Sequence, residues 1–104
     1  LQVNGGIFDL NGNDQAVRTL LNSNTLAFIA GEITNSSGTP ATLTTAMNAS
    51  SIFGATISGN LSLVRSGNNT LTLPDAQTYT GATIVRGGGL TLQDAGSLAT
   101  SSIT

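Results

Sequence analysis

Apolar and polar residues alternate along much of this chain. The clearest examples are Thr-Leu-Thr-Leu at 70–73 and Gly-Leu-Thr-Leu at 89–92. A two-residue period is typical of a strand with one buried face, and Thr, Val and Ile favour strands because branched side chains fit the pleat. We therefore expect an all-β fold. The same criterion predicts further strands at 6–10, 25–29, 41–45, 52–57, 61–65 and 82–86.

Glycine and asparagine cluster between the predicted strands, as in Ser-Gly-Asn-Asn at 66–69 and Gly-Gly-Gly at 87–89. Both residue types tolerate a positive φ, which sharp corners require. Residues 14–21 are the one segment whose apolar residues also fit a helical turn. We expect a strand there, with the helical turn as the alternative.

One segment of the chain is nearly a copy of another. Leu-Thr-Leu-Pro-Asp-Ala at 71–76 returns nineteen residues later as Leu-Thr-Leu-Gln-Asp-Ala at 90–95. Val-Arg-Ser-Gly at 64–67 returns twenty-one residues later as Val-Arg-Gly-Gly at 85–88. Two unrelated motifs with nearly the same interval indicate a period of about twenty residues, the length of one turn in a stacked architecture.

This period favours a β-solenoid over a β-sandwich, which is the alternative for a chain of short strands. Strands of a sandwich rarely copy one another, and the repeated Thr and Asn positions are what stacked turns require. At about twenty residues per turn, 104 residues predict about five coils in a single unit spanning residues 1–104. The large aromatics that usually fill a sandwich core are also scarce: Phe8, Phe28, Phe53 and Tyr79.

Composition narrows the classes of function. Only 8% of the residues are charged and the net charge is −2, so we expect no nucleic-acid partner. The chain has no Cys and no His, which removes thiol chemistry, the usual zinc ligands and Ser-His or Cys-His nucleophiles. No apolar run approaches the roughly 20 residues of a membrane span. We therefore expect no enzyme activity, no cofactor and no direct membrane insertion.

Three motifs in residues 59–98 follow one another in a specific order. They read Gly-Asn-Leu-Ser-Leu-Val-Arg-Ser-Gly-Asn-Asn-Thr-Leu-Thr-Leu at 59–73, Thr-Tyr-Thr-Gly-Ala-Thr-Ile-Val at 78–85 and Gly-Gly-Leu-Thr-Leu at 88–92. This series resembles the autotransporter-associated β-strand repeat, also called the passenger-associated transport repeat. Pro74 and Ala82 depart from the pattern of that family, and Pro at the end of a strand is compatible with the fold.

The resemblance implies a right-handed parallel β-helix in the exported passenger of a bacterial surface or secreted protein. The role of such a passenger is structural and tied to export and display, so the expected localisation is extracellular. The family motif carries a Tyr at the place of Tyr79, which implies that Tyr79 packs on a flank of the coil. Its alternative role is a stacking platform for a sugar.

The alternation also predicts which apolar side chains stack inside the coil. Leu71 with Leu73, and Leu90 with Leu92, are expected to form successive layers of one core. The full predicted stack is Leu61, Leu63, Leu71, Leu73, Ile84, Leu90 and Leu92.

The two ends of the chain read as one strand when they are joined. Ile103-Thr104 followed by Leu1-Gln2-Val3 alternates apolar and polar residues, so Leu1, Val3 and Ile103 are predicted to form an end-to-end junction. An uncapped solenoid exposes unpaired N–H and C=O groups at both ends, and these need a cap or a neighbour. We expect the chain to be one unit of a longer array, covalent or assembled from copies.

Two pairs of charged residues recur with the repeat. Asp75 and Asp94 are expected to be solvated turn residues, with a glycosidase-like carboxylate pair or a Ca²⁺ site as alternatives. Arg65 and Arg86 are expected to be edge charges that discourage aggregation, and recognition of an anionic glycan is the alternative.

The sequence thus predicts a structural β-solenoid unit that stacks end to end into a rigid rod or filament. Its expected partners are neighbouring copies or repeats of itself. The alternative is a surface adhesin or glycan-binding passenger module, which would contact surface glycans or host matrix.

Overall fold

The computed structural model of the protein describes residues 6–20, 31–74, 76–92, 97–98 and 102–103, and these ranges contain strands and no helix. Segment 14–21 therefore contains a strand, as expected. In chain order the strands are β1 (Ile7–Asp9), β2 (Gln15–Val17), β3 (Glu32–Thr34), β4 (Ala41–Met47), β5 (Ser51–Ile52), β6 (Thr56–Ile57), β7 (Leu61–Gly67), β8 (Thr70–Leu73), β9 (Ala76–Gln77), β10 (Ala82–Val85), β11 (Gly89–Leu92), β12 (Ser97–Leu98) and β13 (Ser102–Ile103).

Every pairing among the described strands is parallel. The largest sheet has five strands in the order β13-β10-β7-β4-β2, and three smaller sheets have the orders β1-β3-β6, β11-β8-β5 and β12-β9. Paired strands are never consecutive in the described chain, so the chain visits other sheets before it returns to pair with itself. This arrangement is a β-solenoid, and the predicted all-β solenoid is confirmed.

The described strands make about three turns of the solenoid. Each of the sets β4–β6, β7–β9 and β10–β12 contributes one strand to the five-stranded sheet and two strands to the smaller sheets. The remaining strands, β1–β3 and β13, belong to less complete turns at either end. The expected count of about five coils is not confirmed.

The spacing between paired residues changes along the chain. Ala41 pairs with Leu61 and Leu71 pairs with Leu90, intervals of twenty and nineteen residues. Before β4 the intervals are longer, because Ile7 pairs with Glu32 and Gln15 pairs with Leu43. The period of about twenty residues therefore describes the turns from β4 onward.

Most of the predicted strands are present, with two corrections. The segment 52–57 was expected to form one strand, whereas it forms β5 and β6, which lie in different sheets on either side of a corner. Phe53 occupies that corner with its side chain fully buried. Strands β3, β9 and β12 were not predicted, and segment 25–29 lies outside the described residues.

Burial alternates along the strands, as expected for a sheet with one inward face. In β4 the inward residues Ala41, Leu43, Thr45 and Met47 are buried, whereas Thr42 is partly exposed. The same alternation holds in β8. Complete burial of one Leu side chain contributes about 1.5–3 kcal/mol, so these inward columns are the main source of the stability of the coil.

Candidate functional site

Four of the predicted core leucines lie in the interior of the coil. Leu61, Leu63, Leu71 and Leu73 are each at most 1% exposed and belong to one core cluster. Leu63 lies opposite Leu43 of the preceding turn, so leucines stack directly upon one another. These four residues form part of the apolar core against which successive turns pack.

Ile84 does not continue the leucine column. It pairs with Val64, and the residue that pairs with Leu63 is Thr83. Side chains alternate between the two faces of a strand, so Ile84 lies on the outer face and remains partly exposed. The prediction of Ile84 as a core residue is wrong, because the inward position one residue earlier is polar.

Thr83 can lie in the core because its hydroxyl group has a partner there. The Tyr79 hydroxyl lies 2.6 Å from Thr83 Oγ1, and both side chains are fully buried. Burial of the Tyr79 ring raises the pKa of its hydroxyl above the ordinary value, and the hydrogen bond to Thr83 opposes this shift. A buried ring is not available to a sugar, so the stacking-platform alternative for Tyr79 is wrong.

The leucine column becomes exposed at β11. Leu90 pairs with Leu71 and packs against the core, whereas Leu92 pairs with the buried Leu73 and is 45% exposed. Since β11 is the outermost strand of its sheet, Leu92 has a strand of this sheet on one side only within the described residues. The expectation that Leu92 is a buried core residue is therefore corrected: it is the open end of a core column.

The predicted end-to-end junction falls largely outside what the structure describes. Leu1 and Val3 lie outside the described residues. Ile103 lies in β13, at the edge of the five-stranded sheet, and its backbone pairs with Thr83. The junction itself stays a prediction.

Arg65 occupies an unexpected position inside the coil. Its side chain is fully buried, and burial lowers the pKa of the guanidinium group. Its nitrogens donate to the backbone carbonyl oxygens of Ser66, Asn68 and Asn69 in the next corner and, at 3.2 Å, to that of Gly89 one turn further on. Four carbonyl dipoles thus surround one buried cation and fix the corner at 66–69.

Arg86 does not stack on Arg65. The register pairs Val85 with Arg65, and the Arg86 backbone N–H donates to the Arg65 carbonyl oxygen at 2.8 Å. The two arginines are twenty-one residues apart whereas the turn is twenty residues long here, and a shift of one residue moves a side chain to the opposite face. Arg86 is exposed, and neither the edge-charge role nor the glycan role fits the buried Arg65.

Asn35 organises a second corner, at the start of the coil. The side chain is 2% exposed and its amide group makes four hydrogen bonds. Oδ1 accepts from the backbone N–H groups of Gly12, at 2.8 Å, and Ser37, at 3.3 Å. Nδ2 donates to the carbonyl oxygens of Thr39, at 2.8 Å, and Asn60, at 2.7 Å. One buried amide therefore connects three successive passes of the chain.

Carboxylates hold other backbone groups near this corner. Asp9 accepts from the Ser36 hydroxyl group, from the Ser36 backbone N–H at 3.1 Å and from the Asn11 N–H at 2.9 Å. Of these, the hydroxyl bond from Ser36 contributes most to the lowered pKa of Asp9. Asp14 accepts from the Thr42 N–H at 2.8 Å. Each of these carboxylates thus has a structural task between neighbouring turns.

The expected acidic pair cannot be placed, because Asp75 and Asp94 lie outside the described residues. Among the residues that are described, no three Asp, Glu, His or Cys side chains come close enough together to hold a metal ion. Within the same ranges, no helix is long and apolar enough to cross a membrane.

Comparison with protein-family models, with curated proteins and with solved structures found no significant match to this chain. The resemblance of residues 59–98 to the autotransporter-associated repeat therefore stays a prediction from the sequence. The described residues contain an open core column at Leu92 and two polar corners, built on Arg65 and Asn35.

Proposed function

We propose that this chain is a structural β-solenoid unit of a bacterial extracellular or surface protein, and that it stacks end to end into a rigid rod or filament. In this proposal the coils wind right-handed, as parallel crossovers nearly always do, and about five of them make up one unit. The partner of each unit is another copy or a neighbouring repeat. The unit has no catalytic role.

The observation that carries this proposal is the exposure of Leu92. It follows the buried Leu73 in an inward column of the coil, yet 45% of its surface meets solvent. A large aliphatic side chain at the end of a core column gains about 1.5–3 kcal/mol if a further turn covers it. A neighbouring unit would supply such a turn without any new kind of contact.

The sheet edges support the same proposal. Strands β13 and β2 are the outermost strands of the five-stranded sheet, so within the described residues each pairs on one side only. Unpaired edges of parallel strands accept a further strand through backbone hydrogen bonds. Stacking of units would continue both the apolar columns and the sheets of the coil along the axis of the solenoid.

The adhesin alternative has weaker support in the described residues. Sugar binding commonly uses exposed aromatic rings, whereas Phe53 and Tyr79 are buried and Phe8 packs against the core. We therefore place the structural role first. A glycan array probed with the assembled protein tests the alternative, and specific glycan binding would favour it.

The stacking proposal is tested by measuring assembly as a function of concentration, with sedimentation velocity and negative-stain electron microscopy. The wild-type protein is expected to form rods whose length increases with concentration. Leu92→Glu should weaken this association about tenfold or more, because a charge replaces the apolar end of the column.

Ile52→Glu is the matched control. Ile52 is also a large aliphatic residue, 55% exposed, but its register with Thr72 places it on the outer face of the coil. This variant should assemble like the wild type, and circular dichroism should show unchanged strand content in both variants. Isolated short particles of the wild-type protein at micromolar concentration, or equal effects of the two substitutions, would overturn the proposal.

A further inference from the structure

The corner at residues 10–13 contains an Asn-Gly turn whose neighbour is the buried side chain of Asn35. Asn11 and Gly12 have φ values of 49° and 80°, and the Asn13 N–H donates to the Leu10 carbonyl oxygen at 3.0 Å. These features define a tight turn of the type that favours Asn-Gly. The Asn11 side chain is exposed, while the Gly12 amide points towards the buried Asn35.

Asn followed by Gly is the arrangement that most readily loses its side-chain amide, since Gly has no Cβ to hinder the approach of its nitrogen. The Gly12 nitrogen would attack Cγ of Asn11, the bond between Cγ and Nδ2 would break, and ammonia would leave with the proton of the attacking nitrogen. Water would then open the cyclic imide to give aspartate or isoaspartate. The net reaction consumes one water and releases one ammonia, and it needs no oxidant or cofactor.

Asn35 opposes this reaction in the folded protein. The Gly12 N–H donates to Asn35 Oδ1 at 2.8 Å, so the nitrogen must give up this hydrogen bond before it can lose its proton and attack Asn11. Asn35 cannot easily follow a movement of the turn, because its Nδ2 is bound to the carbonyl oxygens of Thr39 and Asn60. The reaction therefore requires that the corner opens first.

We propose that Asn11 is a self-modification site whose conversion to aspartate or isoaspartate is suppressed by the hydrogen bond from Gly12 to Asn35. An intact corner preserves the amide, and an opened corner loses it irreversibly. Isoaspartate would lengthen the backbone of the turn and add a negative charge close to Asp9, whose carboxylate accepts from the Asn11 N–H. The corner could then not re-form in its original geometry. The presence of aspartate or isoaspartate at position 11 would therefore show that this corner had opened.

The experiment follows the conversion of Asn11 over time by peptide mass spectrometry, using the whole chain in mildly alkaline buffer. Asn35→Ala should accelerate the reaction about tenfold, the factor expected when a well-formed hydrogen bond no longer opposes opening. Asn60→Ala is the matched control. It removes a side chain that donates only to the Gly38 carbonyl oxygen, at 3.3 Å, and it keeps the Asn60 backbone oxygen that Asn35 uses. The rate at Asn11 should be unchanged in this control.

A second measurement on the wild-type protein guards against a variant that fails to fold. Conversion of Asn11 should be at least about tenfold slower in the native protein than in the urea-denatured chain. It should also increase in parallel with hydrogen exchange of the Gly12 amide as urea is raised. Equal rates in the native and denatured protein would overturn the proposal, and so would an equal acceleration by Asn60→Ala and Asn35→Ala.

Discussion

The part of the coil before β4 and the turns that follow it are held together in different ways. In the C-terminal region, residues 41–92, paired residues lie about twenty positions apart and leucines stack on leucines, as Leu43 does with Leu63. In the N-terminal region, residues 6–20 and 31–40, the intervals are longer, as between Ile7 and Glu32. There the polar side chains of Asn35, Asp9 and Asp14 bind backbone groups of neighbouring turns.

This difference shows what regular spacing contributes to a solenoid. Where the interval is constant, the backbones of successive turns pair, and inward apolar side chains are covered by apolar side chains of the next turn. Where a corner is longer, its extra backbone N–H and C=O groups must find partners elsewhere, because buried polar groups without partners are costly. The single amide of Asn35 satisfies three such groups in the N-terminal region and a fourth, the carbonyl oxygen of Asn60, in the next turn.

The largest expected effect tests whether the two regions share one apolar core. Leu71 and Ile33 are both fully buried, one in each region. Leu71→Ala and Ile33→Ala should each lower the free energy of unfolding by about 3 kcal/mol, since each leaves a cavity in the core. Urea denaturation measures both. A cost below about 1 kcal/mol for Ile33→Ala alone would mean that the N-terminal region unfolds separately.

A smaller effect is expected at the corner that Arg65 holds. Gly88 has a φ of 65°, and a Cβ atom there would collide with the Asn69 carbonyl oxygen and the Arg65 guanidinium group. Gly88→Ala should therefore cost about 2 kcal/mol. In the N-terminal region a Cβ at Gly38 would meet nothing within 4 Å, so Gly38→Ala should change the free energy of unfolding by at most about 0.5 kcal/mol. Similar costs for both would contradict the role of the Arg65 corner.

Alkaline pH should weaken the C-terminal region through Tyr79. Its pKa is raised in the folded protein, so the unfolded chain ionises first, near pH 10, and the free energy of unfolding falls as the pH rises from there. Tyr79 is the only Tyr and there is no Trp, so ultraviolet absorbance follows this one ionisation directly. Tyr79→Phe should remove this pH dependence and cost about 1 kcal/mol at neutral pH, because the hydrogen bond to Thr83 is lost. Ionisation of Tyr79 at its ordinary pKa in folded protein would count against this prediction.

Acid should weaken the N-terminal region through Asp9, with the smallest effect because this carboxylate is exposed. Hydrogen bonds from the Ser36 hydroxyl, the Ser36 N–H and the Asn11 N–H lower the pKa of Asp9 in the folded protein. Its contribution is therefore present above about pH 4 and lost as the pH falls through the lowered pKa. Carboxyl chemical shifts measure this titration. Ser36→Ala should return the pKa of Asp9 towards its ordinary value, and an unchanged titration in that variant would refute the assignment.

The sequence was most informative where apolar residues repeat at the true interval. Leu71 and Leu90, matched by the repeated Leu-Thr-Leu, are indeed paired in neighbouring strands. The repeated Val-Arg led to a wrong alignment of the turns. Its interval exceeds the turn by one residue, so Val85, and not Arg86, pairs with Arg65. Hydrophobicity also favoured Ile84 over Thr83, since the alternation of apolar residues does not show that the Thr83 hydroxyl group has a partner in Tyr79, four residues earlier.

The N-terminal region could be predicted only in part, for a physical reason. Asn35 has no distinctive neighbours in the sequence, and its role depends on Gly12 and Asn60, which lie far from it along the chain. Strand β3 is short and begins with Glu32, so its alternation is weak. Longer and unequal intervals leave no repeat by which such elements could be aligned.

The parallel pairing of every described strand also determines how the molecule would respond to tension. Hydrogen bonds between strands run along the direction in which turns stack, so a pull along that direction loads the bonds of one turn at a time. The chain would then peel turn by turn at low force, beginning at an end. A pull across the coil would instead load several sheets at once. Strength in this protein is therefore directional, and a rod built from it would resist shear across the coil better than extension by its ends.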